Sequence, residues 1–87
     1  MKVFFTDNAL KDYKWFAEND NRIALRITRL ITSIKHDPFS GIDKPEPLKY
    51  KYTGFWSRRI DKNNRLVYQI VDDKKIMIVR CKGHYED

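Results

Sequence analysis

The chain contains a single cysteine, Cys81, so no disulfide can form within it. Beside it stand only two histidines, His36 and His84, which leaves a structural zinc site short of ligands. Three glycines, Gly41, Gly54 and Gly83, build no phosphate-cradling loop, and there is no nucleophile elbow. Nowhere is there the run of about 18 apolar residues that a membrane-spanning helix needs. The opening MKVFFTDNALKDYK lacks an apolar stretch of signal-peptide length. The expectation is a cytoplasmic protein with no metal, no cofactor and no membrane partner. Any catalysis then has to come from ordinary acid–base groups.

What is present fits one small domain spanning residues 1–87. With 87 residues, 41% of them hydrophobic and 14% aromatic, the chain can enclose one modest core and no second one. The formal charge of +6 is unevenly placed. Residues 1 to 43 hold 7 Lys/Arg against 6 Asp/Glu, whereas residues 44 to 87 hold 11 against 6. A localised basic excess favours a polyanionic partner, either nucleic acid or an acidic protein segment.

The hydrophobic pattern divides the chain into two helices and a set of strands. Lys2 to Thr6 is short and β-prone, and Asp7 and Asn8 after it are good helix N-caps. Ala9, Leu10, Tyr13, Phe16 and Ala17 recur at helical spacing before Asn19 to Asn21 interrupts them. A second helix, Asp20 to His36, carries Ile23, Ala24, Ile27, Leu30, Ile31 and Ile34 on one face and Arg22, Arg26 and Arg29 on another. Asp37-Pro38 closes it, because the residue before proline is pushed out of the helical region. A long loop follows, Pro38 to about Thr53, of a length that in small domains tends to be functional. Beyond it Phe55 to Ile60, Leu66 to Val71 and Ile76 to Cys81 read as strands joined by short turns, and short turns make neighbours antiparallel. The predicted architecture is α+β, with two N-terminal helices packed on an antiparallel β-sheet. Cys81, lying in an apolar run, reads as a packed core thiol.

The groups capable of chemistry gather in the second half: Glu46, Lys49, Lys51, Arg58, Arg59 and Arg65, with His84 and Tyr85 near the end. Cleaving RNA without a metal requires a base for the 2′-hydroxyl, cations for the phosphorane-like transition state and an acid for the leaving 5′-oxygen. A carboxylate, arginines and a histidine suit those tasks. Taken singly, Glu46 also reads as an exposed loop residue, Arg65 as a strand-end charge and His84 as an incidental titratable group. The combination says more, because one glutamate stands alone among the basic residues from Lys44 to Arg59, interleaved with Tyr50, Tyr52, Phe55 and Trp56. Cations that track phosphates and rings that stack on bases are what single-stranded RNA binding needs. Phe55 and Trp56 are also candidates for the core.

The stretch DPFSGIDKPEPLKYKYTGFWSRRIDKNNRLVYQIVDD, Asp37 to Asp73, closely resembles the YoeB (Txe) toxins of the RelE/ParE superfamily, above all in KPEPLK, GFWSRRI and RLVY. The tail Cys81 to Tyr85 is similar to the catalytic tail of that family, so the resemblance covers nearly the whole chain. It implies a RelE-like fold akin to small microbial ribonucleases. It also implies a ribosome-dependent messenger RNA endonuclease, silenced by a cognate antitoxin of the YefM/Axe kind through an acidic segment. Carried over by position, Glu46 is the general base, Arg65 stabilises the scissile phosphate, His84 is the general acid and Tyr85 positions substrate. Lys49 and Arg59 match basic positions expected to contact RNA; Lys51 and Arg58 join them on charge and location alone.

Two departures stand out. Gly83 occupies a place where the family carries a larger, often aromatic residue, which predicts a freer backbone before His84. Glu86 and Asp87 extend the chain past the usual His-Tyr end. The charge and the aromatics taken alone also fit a non-catalytic module that blocks the ribosomal A site, or an interaction domain for an acidic partner. Helix Asp20 to His36 is a candidate surface for partners or for a homodimer.

Overall fold

The computed structural model describes residues 1–83. Strand β1 (Lys2–Phe5) leads into helix α1 (Asp7–Asn19), followed by helix α2 (Asn21–His36) and the short strand β2 (Glu46–Pro47). A single 3-10 turn (Tyr50–Tyr52) comes next, then strands β3 (Phe55–Arg59), β4 (Arg65–Asp72) and β5 (Lys75–Arg80). All five strands form one sheet in the order β1-β5-β4-β3-β2.

This is the expected α+β arrangement, with one correction to the sheet. The pairs β2–β3, β3–β4 and β4–β5 are antiparallel, but β1 lies parallel to β5, with Val3 beside Ile76 and Phe5 beside Ile78. The sheet is therefore mixed. A tight turn forces antiparallel neighbours, whereas β1 reaches β5 only after both helices and three strands, a connection long enough for parallel pairing. The long loop also holds more order than its proline content predicts, since it contains β2 and the 3-10 turn.

Each helix begins where local chemistry permits. Thr6, one residue before the predicted caps, has extended backbone, and its hydroxyl accepts from the Ala9 N–H at 3.1 Å, satisfying one of the free donors of the first turn. Asp7 then falls in that first turn, where a negative charge is favoured. Asp20 alone separates the helices: its N–H donates to Phe16 O, and its C=O accepts from Ile23 and Ala24. The apolar stripe of α2 is the one predicted. Ala24, Ile27, Leu30 and Ile34 are buried, with Ile23 and Ile31 half-buried at its margins. That of α1 is narrower, because Ala17 and Leu10 are exposed and only Ala9 and Phe16 are buried. The stripes cover the sheet face formed by Leu66, Tyr68, Ile76 and Ile78, and Cys81 joins this core. Each such aliphatic side chain stabilises the fold by about 1.5–3 kcal/mol relative to exposure.

Candidate functional site

The other face of the sheet follows from strand alternation. In β3, Trp56 and Arg58 point toward the helices, so Phe55, Ser57 and Arg59 face the opposite way. Register then fixes what meets them: Glu46 lies opposite Ser57, Ser57 opposite Val67, and Arg59 opposite Arg65. Glu46 and Arg65 are distant in sequence, yet they form an ion pair, with Arg65 Nη1 donating to Glu46 Oε1 at 3.2 Å. Of the two cross-strand arginines, Arg65 alone among the described residues is paired with a carboxylate, which leaves a net positive cluster. Like charges directly opposite one another destabilise a sheet. Arg59 is exposed.

Local sequence explains how each group is held. Pro45 and Pro47 restrict the chain on both sides of Glu46, and Pro47, lacking an N–H, keeps β2 at the sheet edge. Just before them Asp43 and Lys44 adopt φ of 63° and 52°, a region that side chains rarely enter. The strain is held by contacts at both ends of Asp43. Its C=O accepts from the Arg59 N–H at 3.0 Å, and its carboxylate accepts from Arg26 Nη2 at 2.5 Å. Arg65 starts β4 after a turn organised by Asp61, whose Oδ1 accepts from the N–H groups of Asn63 and Asn64 at 2.8 Å each. The Arg65 N–H donates to Gly83 O at 3.0 Å, and the Gly83 N–H donates to Asn64 Oδ1 at 2.8 Å. Gly83 is thus tied down on both sides at φ 82°, contrary to the freer backbone expected there. His84 and Tyr85 lie outside the described residues.

Arg58 requires a correction. Expected among the RNA contacts, it is wholly buried on the helix side of the sheet. Nη1 donates to Ser33 Oγ and Ile42 O, Nη2 to Asp37 O and Ser40 O, and Nε to Tyr68 Oη, so its five N–H groups are consumed inside the protein. Its function is to hold the loop that delivers Glu46. Gly41 belongs to the same device: at φ 117°, a Cβ there would stand 2.5 Å from Ser33 Oγ and 3.1 Å from Arg58 Nη1. Burial pushes the Tyr68 hydroxyl's pKa up, and the neighbouring Arg58 opposes the shift. The Asp37 carboxyl is held below its ordinary value, first by the Phe39 N–H and then by the Ser40 hydroxyl.

The remaining predicted contacts are spread along the chain after β2. Lys49 is exposed at the start of the 3-10 turn, and Lys51 is exposed with Nζ 5.3 Å from the Tyr52 ring centre. Between them Tyr50 is 81% exposed and adopts φ 56°. Beside Ser57, Val67 forms the floor of a cleft of about 610 Å³ walled by Tyr52 and Phe55 and edged by Lys11, Arg80 and Lys82. That cleft adjoins the Glu46–Arg65 pair through the common strand β4 and contains neither residue. A second opening, about 480 Å³, brings Arg59 together with Lys44, Lys62 and Arg26. Lys44, which was not among the predicted contacts, precedes Glu46 by two residues and lines this same opening. Cys81 is a buried core thiol, as expected, its pKa pushed up to about 12 by burial and by nearby Asp12. Among the described residues no group of three or more His, Cys, Asp or Glu side chains is placed to hold a metal ion. No helix among them is long and apolar enough to cross a membrane.

Known proteins share this arrangement at full length. A YoeB toxin from Synechocystis is 49% identical over 86 residues, covering 99% of each chain. A YoeB/ParE toxin from Agrobacterium tumefaciens superposes with a TM-score of 0.94 at 37% identity, over 98% of this chain and all of the other. Staphylococcus aureus YoeB, solved as a dimer and in a heterotetrameric complex with YefM, covers 98% of both chains at 44% identity, with TM-scores of 0.89 and 0.88. The profile of the YoeB-like toxins of bacterial type II toxin-antitoxin systems matches residues 5–85, and the chain belongs to that family.

Proposed function

We propose that this chain is a ribosome-dependent messenger RNA endonuclease working by metal-independent acid–base chemistry. The observation that carries the reading is the Glu46–Arg65 ion pair standing beside Arg59, a carboxylate and two guanidinium groups on one sheet face. Glu46 takes the proton of the substrate's 2′-hydroxyl, and the 2′-oxygen attacks the adjacent phosphorus. Arg65, with Arg59, meets the charge that builds on the phosphorane oxygens. His84 gives a proton to the leaving 5′-oxygen and Tyr85 positions the nucleotide. The products are a 2′,3′-cyclic phosphate and a new 5′-hydroxyl end. Lys49 and Lys51 track the neighbouring phosphates, and the rings of the adjoining cleft accept bases by stacking.

The resting ion pair gives a reason for the ribosome's part. Glu46 and Arg65 occupy each other, so a scissile phosphate has to compete with Glu46 for Arg65 before the carboxylate is released. A ribosome that holds the 2′-hydroxyl and phosphate in line supplies that competition through orientation. The basic second half also suits an acidic YefM/Axe-like antitoxin segment that folds over the site, consistent with the YefM complex of the Staphylococcus aureus relative. That relative's dimer makes a homodimer of this chain the natural expectation.

The test is in-vitro translation of a defined messenger with purified protein, followed by mapping of RNA ends for wild type, Glu46→Ala, Arg65→Ala and His84→Ala. The expected result is ribosome-dependent cutting by wild type that falls steeply in each variant. Translation arrest without new RNA ends would overturn the nuclease reading in favour of a ribosome-blocking binder.

A further inference from the structure

Ser57 lies at the centre of the candidate site's floor. On β3 it stands opposite Glu46 of β2 on one side and Val67 of β4 on the other, and its strand neighbour on the same face is Arg59. It is completely buried, and its Oγ has no hydrogen-bond partner among the described residues. Buried hydroxyls are nearly always paired, because leaving one unpaired is destabilising. Its neighbours on this face include Phe55, Val67 and Leu48, which makes an apolar residue the undemanding choice at position 57. The hydroxyl stands where, among the described residues, it makes no bond.

We propose that Ser57 is a positioning residue for Glu46, which becomes its partner only when substrate is bound. The inference rests on the reading of Glu46 as general base. Residues directly opposite in an antiparallel pair have Cβ atoms about 4.5–5.5 Å apart, within reach of a hydroxyl and a carboxylate on those two positions. In the resting protein, Glu46 Oε1 accepts from Arg65 Nη1. When a phosphate takes Arg65, the carboxylate turns inward and accepts from the Ser57 O–H, leaving its second oxygen aimed outward at the 2′-hydroxyl. The serine keeps its proton throughout; the proton that moves passes from the 2′-oxygen to the free Glu46 oxygen. This bond replaces the guanidinium as the anchor of the base.

The experiment measures single-turnover messenger cleavage on programmed ribosomes by wild type, Ser57→Ala, Ser57→Thr, Glu46→Ala, Glu46→Gln and the Ser57→Ala/Glu46→Gln double variant, with thermal unfolding of each. Ser57→Ala is expected to unfold at or above the wild-type midpoint, because an unpaired buried hydroxyl has been removed. Its cleavage rate at saturating ribosome is expected to fall about tenfold or more with half-saturation unchanged, the signature of a misplaced base. Ser57→Thr restores most of the rate, and Ser57→Ala adds no loss in the Glu46→Gln background. Wild-type cleavage by Ser57→Ala, or an equal loss in the Glu46→Gln background, overturns the proposal while the Glu46 reading stands. A Ser57→Ala protein that unfolds earlier and is not rescued by threonine also overturns it. Full cleavage by Glu46→Ala overturns both.

Discussion

Arg59 and Arg65 face each other directly across β3 and β4, and of the two only Arg65 has a carboxylate partner among the described residues. Such a pairing predicts opposite effects on stability and on RNA. Replacing Arg59 by Gln removes the repulsion and leaves the unfolding midpoint unchanged or slightly raised. The salt dependence of RNA binding, plotted as log affinity against log salt, loses about 0.7 of slope for the one phosphate contact removed. An unchanged slope in a binding titration would show that Arg59 touches no phosphate.

Arg58 behaves in the reverse way. Its guanidinium satisfies Asp37 O, Ser40 O, Ile42 O, Ser33 Oγ and Tyr68 Oη. Replacing it by Ala removes the donor of all five bonds, leaves a cavity in the core and is expected to cost about 3 kcal/mol or more in urea unfolding. Lysine rescues little, because a point ammonium cannot imitate a planar fork. RNA affinity per folded molecule should change far less than for Arg59→Gln.

Cys81 supplies a pH prediction with a defined sign. Its thiol is raised from an ordinary 9.0 to about 12, so the folded state holds the neutral form while the unfolded state ionises first. Its contribution is fully present below pH 9 and is lost as the pH climbs toward 12. A thiol reagent applied near neutral pH should therefore react only as fast as the molecule opens. Rapid labelling of native protein would contradict the burial.

Gly83 needs its backbone rather than its space. Nothing lies within 4 Å of a Cβ built there, but its φ is 82°. Gly83→Ala is expected to cost about 1–2 kcal/mol and to lower cleavage by pulling apart the Arg65 and Asn64 contacts, whereas Asn, which enters this region more readily, costs less. Thermal midpoints for the two variants decide it; equal stability of Ala and wild type would mean that the bonds tying Gly83 are not holding that φ.

The sequence determined the two helices and four of the five strands, the apolar stripe of α2, the single core and the concentration of basic and aromatic residues around one glutamate. These depend on periodicities of the chain itself, 3.6 for helices and 2 for strands, and on turn and capping residues that act locally. Tertiary structure decided the parallel pairing of β1 with β5, because no local signal spans the residues between them. It also decided which basic residue faces the site. Arg58 and Arg59 are adjacent and chemically alike, yet strand alternation buries one under the helices and exposes the other beside Arg65. The same alternation puts Ser57 beside Glu46 on one face, a relationship fixed by β2–β3 register, since a shift of one residue would turn every side chain of the strand to the other face.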